Sequence, residues 1–114
     1  MAADLEPCDV ARRVAERSVL LIDVREPEEY AAERIHGALL YPLSTFNPRA
    51  LPDTGKTQIV FQCGSGMRSA KAMAAAGAAG LPIAGHLAGG IKAWKEAGLP
   101  LIAIDPGTGR PRER

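Results

Sequence analysis

Short continuous apolar runs along this chain alternate with stretches whose apolar residues recur at helical spacing. "SVLLIDV" (18–24), "ALLYPL" (38–43), "QIVFQ" (58–62) and "IAGHL" (83–87) read as strands, the first and third as strands buried on both faces. "EPCDVARRVAER" (6–17) places Val10, Ala11, Val14 and Ala15 on one helical face, with Pro7 suited to a first turn. "REPEEYAAERIHGA" (25–38) opens with a proline and acids, the composition of a helix start, and its helix is expected to run to Gly37. Residues 69–79 form an alanine-rich helix stopped by Gly80 and Pro82, and "IKAWKEAG" (91–98) a last helix closed by Gly98 and Pro100. Between them "STFNPRALPDTGK" (44–56) is turn-rich, with at most one short helical turn before Asp53 to Gly55. The end, "DPGTGRPRER", reads as a flexible tail, so the expected division is a domain over 1–103 and a tail over 104–114.

Strands separated by helices imply parallel pairing through right-handed crossovers, giving an α/β fold with helices on both faces of one sheet. In such a sheet the ligand crevice lies beyond the carboxyl ends of the strands. Asp23 with Arg25 follows one strand and Cys63 another. Polar chemistry from two separate places thus falls at one end of the sheet.

Length and composition narrow the picture. A chain of 114 residues is expected to form one domain with a core of its own. One Trp, two Tyr and two Phe leave that core to Ala, Val, Ile and Leu. A formal net charge of +1 argues against a nucleic-acid-binding face. Two cysteines, Cys8 and Cys63, with no Cys/His cluster at ligand spacing, point to reduced thiols and no metal. The N-terminal residues carry acids and no continuous apolar core, and no window is long enough to span a bilayer. The expectation is a cytoplasmic protein with no membrane partner.

The informative stretch is "IVFQCGSGMRSAKAMAAAG" (59–77), where a thiol stands between a buried strand and a helix start. Alone, Cys63 is as readily a small core residue. Gly64 and Gly66 change this, because they let successive N–H groups turn toward one point. A helix beginning near Ser69 adds its positive end, and Arg68 a full charge. Such a ring would lower the pKa of a thiol from its ordinary value near ~8.5 and hold an anion beside it. Cys8, on a helix without a positive environment, has no comparable setting.

The ordered set "LIDVREPEEY", "RIHGALLYPL", "IVFQCGSGMRSAKA" and "LAGGIKAWKEAGLPL" resembles a single-domain rhodanese, of the rhodanese-like sulfurtransferase superfamily, over residues 5 to 102. The resemblance implies a five-stranded, mainly parallel sheet between helices. It implies Cys63 as the catalytic residue that carries transferred sulfur, within a binding loop of Gly64, Ser65, Gly66, Met67, Arg68 and Ser69. Four residues separate Cys63 from Arg68, as in sulfurtransferases, whereas phosphatases of the superfamily have five; phosphatase or arsenate reductase is the minor reading. The implied chemistry is double displacement through a Cys63 persulfide, from thiosulfate or a persulfide donor to cyanide, a thiol or a protein, without cofactor. A non-turnover sulfur carrier is the alternative, and the chain is expected as a monomer or weak homodimer.

The other polar residues carry less. Arg68 either binds the sulfonate end of thiosulfate or folds back on an acid, and the site role is preferred. Asp23 and Arg25 are expected to be structural, Arg25 with a possible place at the pocket rim. His36 and His86 show no acid–histidine–nucleophile arrangement in sequence and are expected to be structural. Trp94, spaced with Ile91 and Ala97, is core or rim, and Gly89 and Gly90 serve backbone geometry and close helix approach. Met67 stands where family members that use thiosulfate often carry charge. Ala70, Ala74, Ala75, Ala78 and Ala79 are expected to let the helix lie close to the sheet.

Overall fold

Three buried strands side by side set the architecture. The computed structural model describes residues 2–51, 54, 55 and 57–113; Asp53, before which at most one short helical turn was expected, lies outside them. The main sheet contains β1 (Ala3–Leu5), β2 (Val19–Asp23), β4 (Leu39–Leu40), β5 (Gln58–Gln62) and β6 (Ile83–Leu87) in the order β1-β6-β5-β2-β4. All four pairings within it are parallel. The central strands are the ones whose sequences read as doubly buried: Ile59, Val60 and Phe61 are fully buried, and Leu21 and Ile22 nearly so.

Side chains alternate across the sheet, as the strand period requires. Leu21 and Val60 join Val10 of α1 (Pro7–Ala15) and Ile91 and Trp94 of α4 (Gly90–Glu96) in one core cluster. Ile22, Ile59 and Phe61 join Ala72 and Ala76 of α3 (Met67–Ala78) in the other. Helices therefore cover both faces. Trp94 belongs to the core, with its Nε1–H donating to the carbonyl of Pro100 at 2.9 Å.

Several elements depart from the sequence pattern. The helix α2 (Pro27–Ala32) stops well short of Gly37, although a capping box between Glu26 and Glu29 secures its start. Glu33 turns extended, and β3 (Glu33–Arg34) follows, which delivers Ile35 and Ala38 to the core. A second, antiparallel sheet joins β3, β7 (Ile102–Ile104) and β8 (Pro111–Glu113). Residues expected as tail thus place β8 alongside β7. Among the described residues this turn-rich region holds two 3-10 turns, where at most one was expected: Leu43–Thr45 and Pro48–Ala50. α1 ends at Ala15 because Arg17 takes a left-handed conformation, φ 58°, in which the Ser18 N–H returns to the carbonyl of Arg13.

The stripe of α3 that meets the sheet also differs. Ser69, Ala72 and Ala76 are its buried residues, whereas Ala74, Ala75, Ala78 and Ala79 face solvent. Spacings of three and four put Ser69, Ala72 and Ala76 on one face, so that seating Ser69 beneath Cys63 turns the other alanines outward. Among the described residues no helix is long and apolar enough to cross a membrane.

Candidate active site

Cys63 follows β5 and is fully buried, as a thiol at the carboxyl end of a central strand should be. The chain then turns sharply at Gly66, whose φ of 103° is open to glycine at little cost, and enters α3. That turn brings the amide of Gly66 to 3.1 Å from the Cys63 sulfur and the amide of Ser69 to 3.3 Å. The Ser69 hydroxyl lies 3.5 Å from the same sulfur. Ser65 and Met67 are exposed, Met67 by 73%.

The second glycine pair holds this cradle from behind. The N–H of Ile91 donates to the carbonyl of Cys63 at 2.8 Å, and that of Lys92 to the carbonyl of Gly64 at 3.2 Å. The first turn of α4 therefore occupies the loop's carbonyls, leaving its amides to the sulfur. Gly89 and Gly90 both have positive φ at this junction, and a methyl group on Gly90 would overlap the carbonyls of Cys63 and Gly64. Close helix approach is what Gly90 provides, whereas a methyl group on Gly89 would meet Ala93 of its own helix.

Opposing forces act on the thiol. Burial pushes the Cys63 pKa up, while the Ser69 hydroxyl and the amides of Ser69, Gly66 and Ser65 pull it down. The donors prevail, and the group lies below its ordinary value.

The arginines are engaged elsewhere. Arg68 donates to both carboxylate oxygens of Glu29, at 2.6 and 3.0 Å, which is the ion pair left open by its sequence position. The hydrogen bond from Arg68 is the main cause that brings Glu29 down to about 2. Arg25 is 3% exposed. Its guanidinium grips the fully buried Asp23 at 2.8 to 3.1 Å and the carbonyl of Glu33 at 2.7 Å. This pair fixes the exit of β2 to the start of β3.

His86 is buried and hydrogen-bonded at both ring nitrogens, and its partners form an arrangement that was not visible in the sequence. Its Nδ1 lies 2.8 Å from the Ser69 hydroxyl, and its Nε2 lies 2.8 Å from a carboxylate oxygen of Asp4. An acid, a histidine and a hydroxyl thus lead to the sulfur. Nothing local could signal this, since Asp4 and His86 stand 82 residues apart and Ser69 and His86 17. His36, by contrast, is exposed. Among the described residues no group of three or more His, Cys, Asp or Glu side chains is placed to hold a metal.

A family model of the rhodanese-like domain matches residues 6–97. The chain belongs to the rhodanese-like domain family. An uncharacterized protein of Synechocystis sp. is 45% identical over 86 residues, covering 75% of this chain and 48% of that protein, so the chain spans about half of that relative's length. A protein of Allochromatium vinosum named sulfurtransferase is 34% identical over 104 residues, covering 90% of this chain and 97% of that one. A thiosulfate sulfurtransferase of Pseudomonas aeruginosa, solved by crystallography, superposes with a TM-score of 0.75 at 31% identity, covering 89% of this chain and 19% of that chain. Relatives with these names place this rhodanese-like domain in a sulfurtransferase family.

Proposed function

We propose that this protein transfers sulfane sulfur through a persulfide on Cys63. The observation that carries the reading is the pair of inward amides, from Gly66 and Ser69, on a buried sulfur. A thiolate held there attacks the outer sulfur of a donor entering between Ser65 and Met67. The donor's sulfur–sulfur bond breaks, and its remaining fragment (sulfite, when thiosulfate is the donor) leaves with the bonding electrons. The new terminal sulfur carries the negative charge, and the loop from Gly64 to Ser69 supplies its donors. An acceptor thiol, protein or cyanide then attacks that outer sulfur and releases the Cys63 thiolate.

Two features favour a persulfide or protein donor over thiosulfate. Arg68 is spent on Glu29. Met67 places a thioether at the exposed mouth where a cation would attract a dianion. A carrier role, in which a partner protein loads Cys63, fits the same geometry.

Intact-mass measurement tests both. After incubation with thiosulfate the protein is expected to gain one sulfur, which cyanide removes and which Cys63→Ala never acquires. An adduct that forms with a persulfide or protein donor and not with thiosulfate establishes the carrier reading. No adduct with any of them overturns the proposal.

A further inference from the structure

The amides around Cys63 can stabilise a thiolate, but they cannot make one. An amide N–H only donates, so none of those from Ser65, Gly66 and Ser69 can accept the thiol proton. The sulfur is fully buried, so bulk water does not touch it in this arrangement of the loop. Among the described hydrogen-bond partners of this sulfur, the Ser69 hydroxyl is the one group able to take a proton.

The orientation of the chain beyond Ser69 follows from its outer end. A carboxylate oxygen of Asp4, 2.8 Å from His86 Nε2, accepts and does not donate, so Nε2 carries the ring proton. In the neutral ring Nδ1 is then bare and takes the Ser69 hydroxyl proton across 2.8 Å. The competing acceptor, the carbonyl of Gly66, is farther away at 3.2 Å. With its proton directed to His86, Ser69 turns a lone pair toward Cys63, where the S–H donates to it at 3.5 Å. Every bond of the thiol form points outward, toward an aspartate side chain that is 76% exposed.

We propose that Ser69, His86 and Asp4 form a proton wire that carries the Cys63 thiol proton to the protein surface. The S–H bond breaks and its proton binds the Ser69 oxygen, while the hydroxyl proton that oxygen held passes to His86 Nδ1. The imidazolium rests against Asp4 and releases its proton to water there. Release from Nε2 leaves the chain reversed, with Nδ1–H donating to Ser69 and Ser69 donating to the thiolate, and it resets when Nε2 regains a proton from water and Nδ1 gives its own back through Ser69 to the sulfur. His86 and Asp4 act through Ser69 and are positioning residues. The charged groups around the wire are Asp4 against His86 and Arg68 near Cys63, with Arg68 itself bound to Glu29. The wire rests on Cys63 being the reactive sulfur and is independent of the donor.

Site-resolved alkylation of Cys63 by iodoacetamide, from about pH 5 to about pH 9, reads the wire directly. His86→Asn, whose amide can bond Ser69 but cannot be protonated, is expected to slow alkylation at neutral pH about tenfold and to move its midpoint upward. Ser69→Ala does the same, and Ser69→Thr restores the rate. Asp4→Asn, at an exposed position that leaves the core intact, moves the midpoint in the same direction and decides the matter if His86→Asn fails to fold. Unchanged midpoints in His86→Asn and Asp4→Asn, whatever their melting temperatures, reduce the chain to a structural tie and overturn the proposal. Sulfur-adduct formation measured on the same variants separates the two proposals. Altered midpoints without any adduct in the parent protein keep the wire and remove the transfer reading. Adducts formed with parental pH dependence in every variant do the reverse.

Discussion

A methyl group added to Gly90 would lie 2.4 Å from the carbonyl oxygen of Cys63, a contact between backbones that no rotamer can relieve. Gly90 also has φ +63°, a conformation costing other residues about 1–2 kcal/mol. Gly90→Ala is therefore expected to lower the melting temperature and to slow Cys63 alkylation at least about tenfold, because the loop amides lose their backing. Gly77→Ala is the control. It lies in α3 with nothing within 4 Å of an added methyl, and it is expected to stabilise the protein by about 0.5–1 kcal/mol in a thermal melt.

Glu29 has its pKa brought to about 2 from an ordinary 4.5, chiefly by the hydrogen bond from Arg68. The depressed carboxyl contributes stability that is fully present above pH 4.5 and is lost as pH falls through about 2. Both side chains are more than a third exposed, or close to it, so solvent screening keeps the contribution small. Melting temperatures of the parent and Glu29→Gln are expected to converge across this acid window and to differ modestly at neutral pH.

Asp23 and Arg25 form a pair of the opposite kind, almost entirely withdrawn from water. Removing one partner strands the other charge, which costs about 3–5 kcal/mol. Asp23→Ala is expected to lose stability of that order in urea unfolding. Arg25→Lys is expected to lose a smaller amount, since an ammonium cannot reproduce the forked contacts to Asp23 and the Glu33 carbonyl.

Met67 offers a test of donor choice that does not disturb the fold, because its side chain is exposed. Met67→Lys puts a cation at the mouth of the loop. Turnover with thiosulfate should show a KM lower by about three- to tenfold at low ionic strength, and the advantage should fade as salt is added. The melting temperature should be unchanged. A salt-independent KM would remove electrostatic attraction at position 67 as a factor in donor choice.

Strands β2 and β5 were legible because a doubly buried strand needs a continuous apolar run, which "VLLI" and "IVF" provide, whereas "IAGHL" of β6, interrupted by Gly85 and His86, was the weaker signal. The cysteine loop was legible because Gly64, Gly66 and Arg68 lie within a few residues of each other. By contrast β1, β3, β7 and β8 are two or three residues long and owe their form to partners distant in sequence. Composition pointed to the alanine-rich helix without telling which of its faces would meet the sheet. Arg68 illustrates the same limit within the site, since its choice of Glu29 depends on α2 lying beside the loop. The tie from Asp4 through His86 to Ser69 is the extreme case, built from three elements that converge only on folding.

The order β1-β6-β5-β2-β4 leaves two stubs at the margins of the main sheet, of three and two residues. In the smaller sheet the margins are β3, of two residues, and β8, which bears a proline, an arginine and a glutamate. Among the described residues a neighbouring molecule therefore meets no long run of unpaired amides to add a strand to, the route by which sheet proteins most readily clump. The fold keeps its longest strands in the middle, and crowding many copies together gives them little backbone to trade.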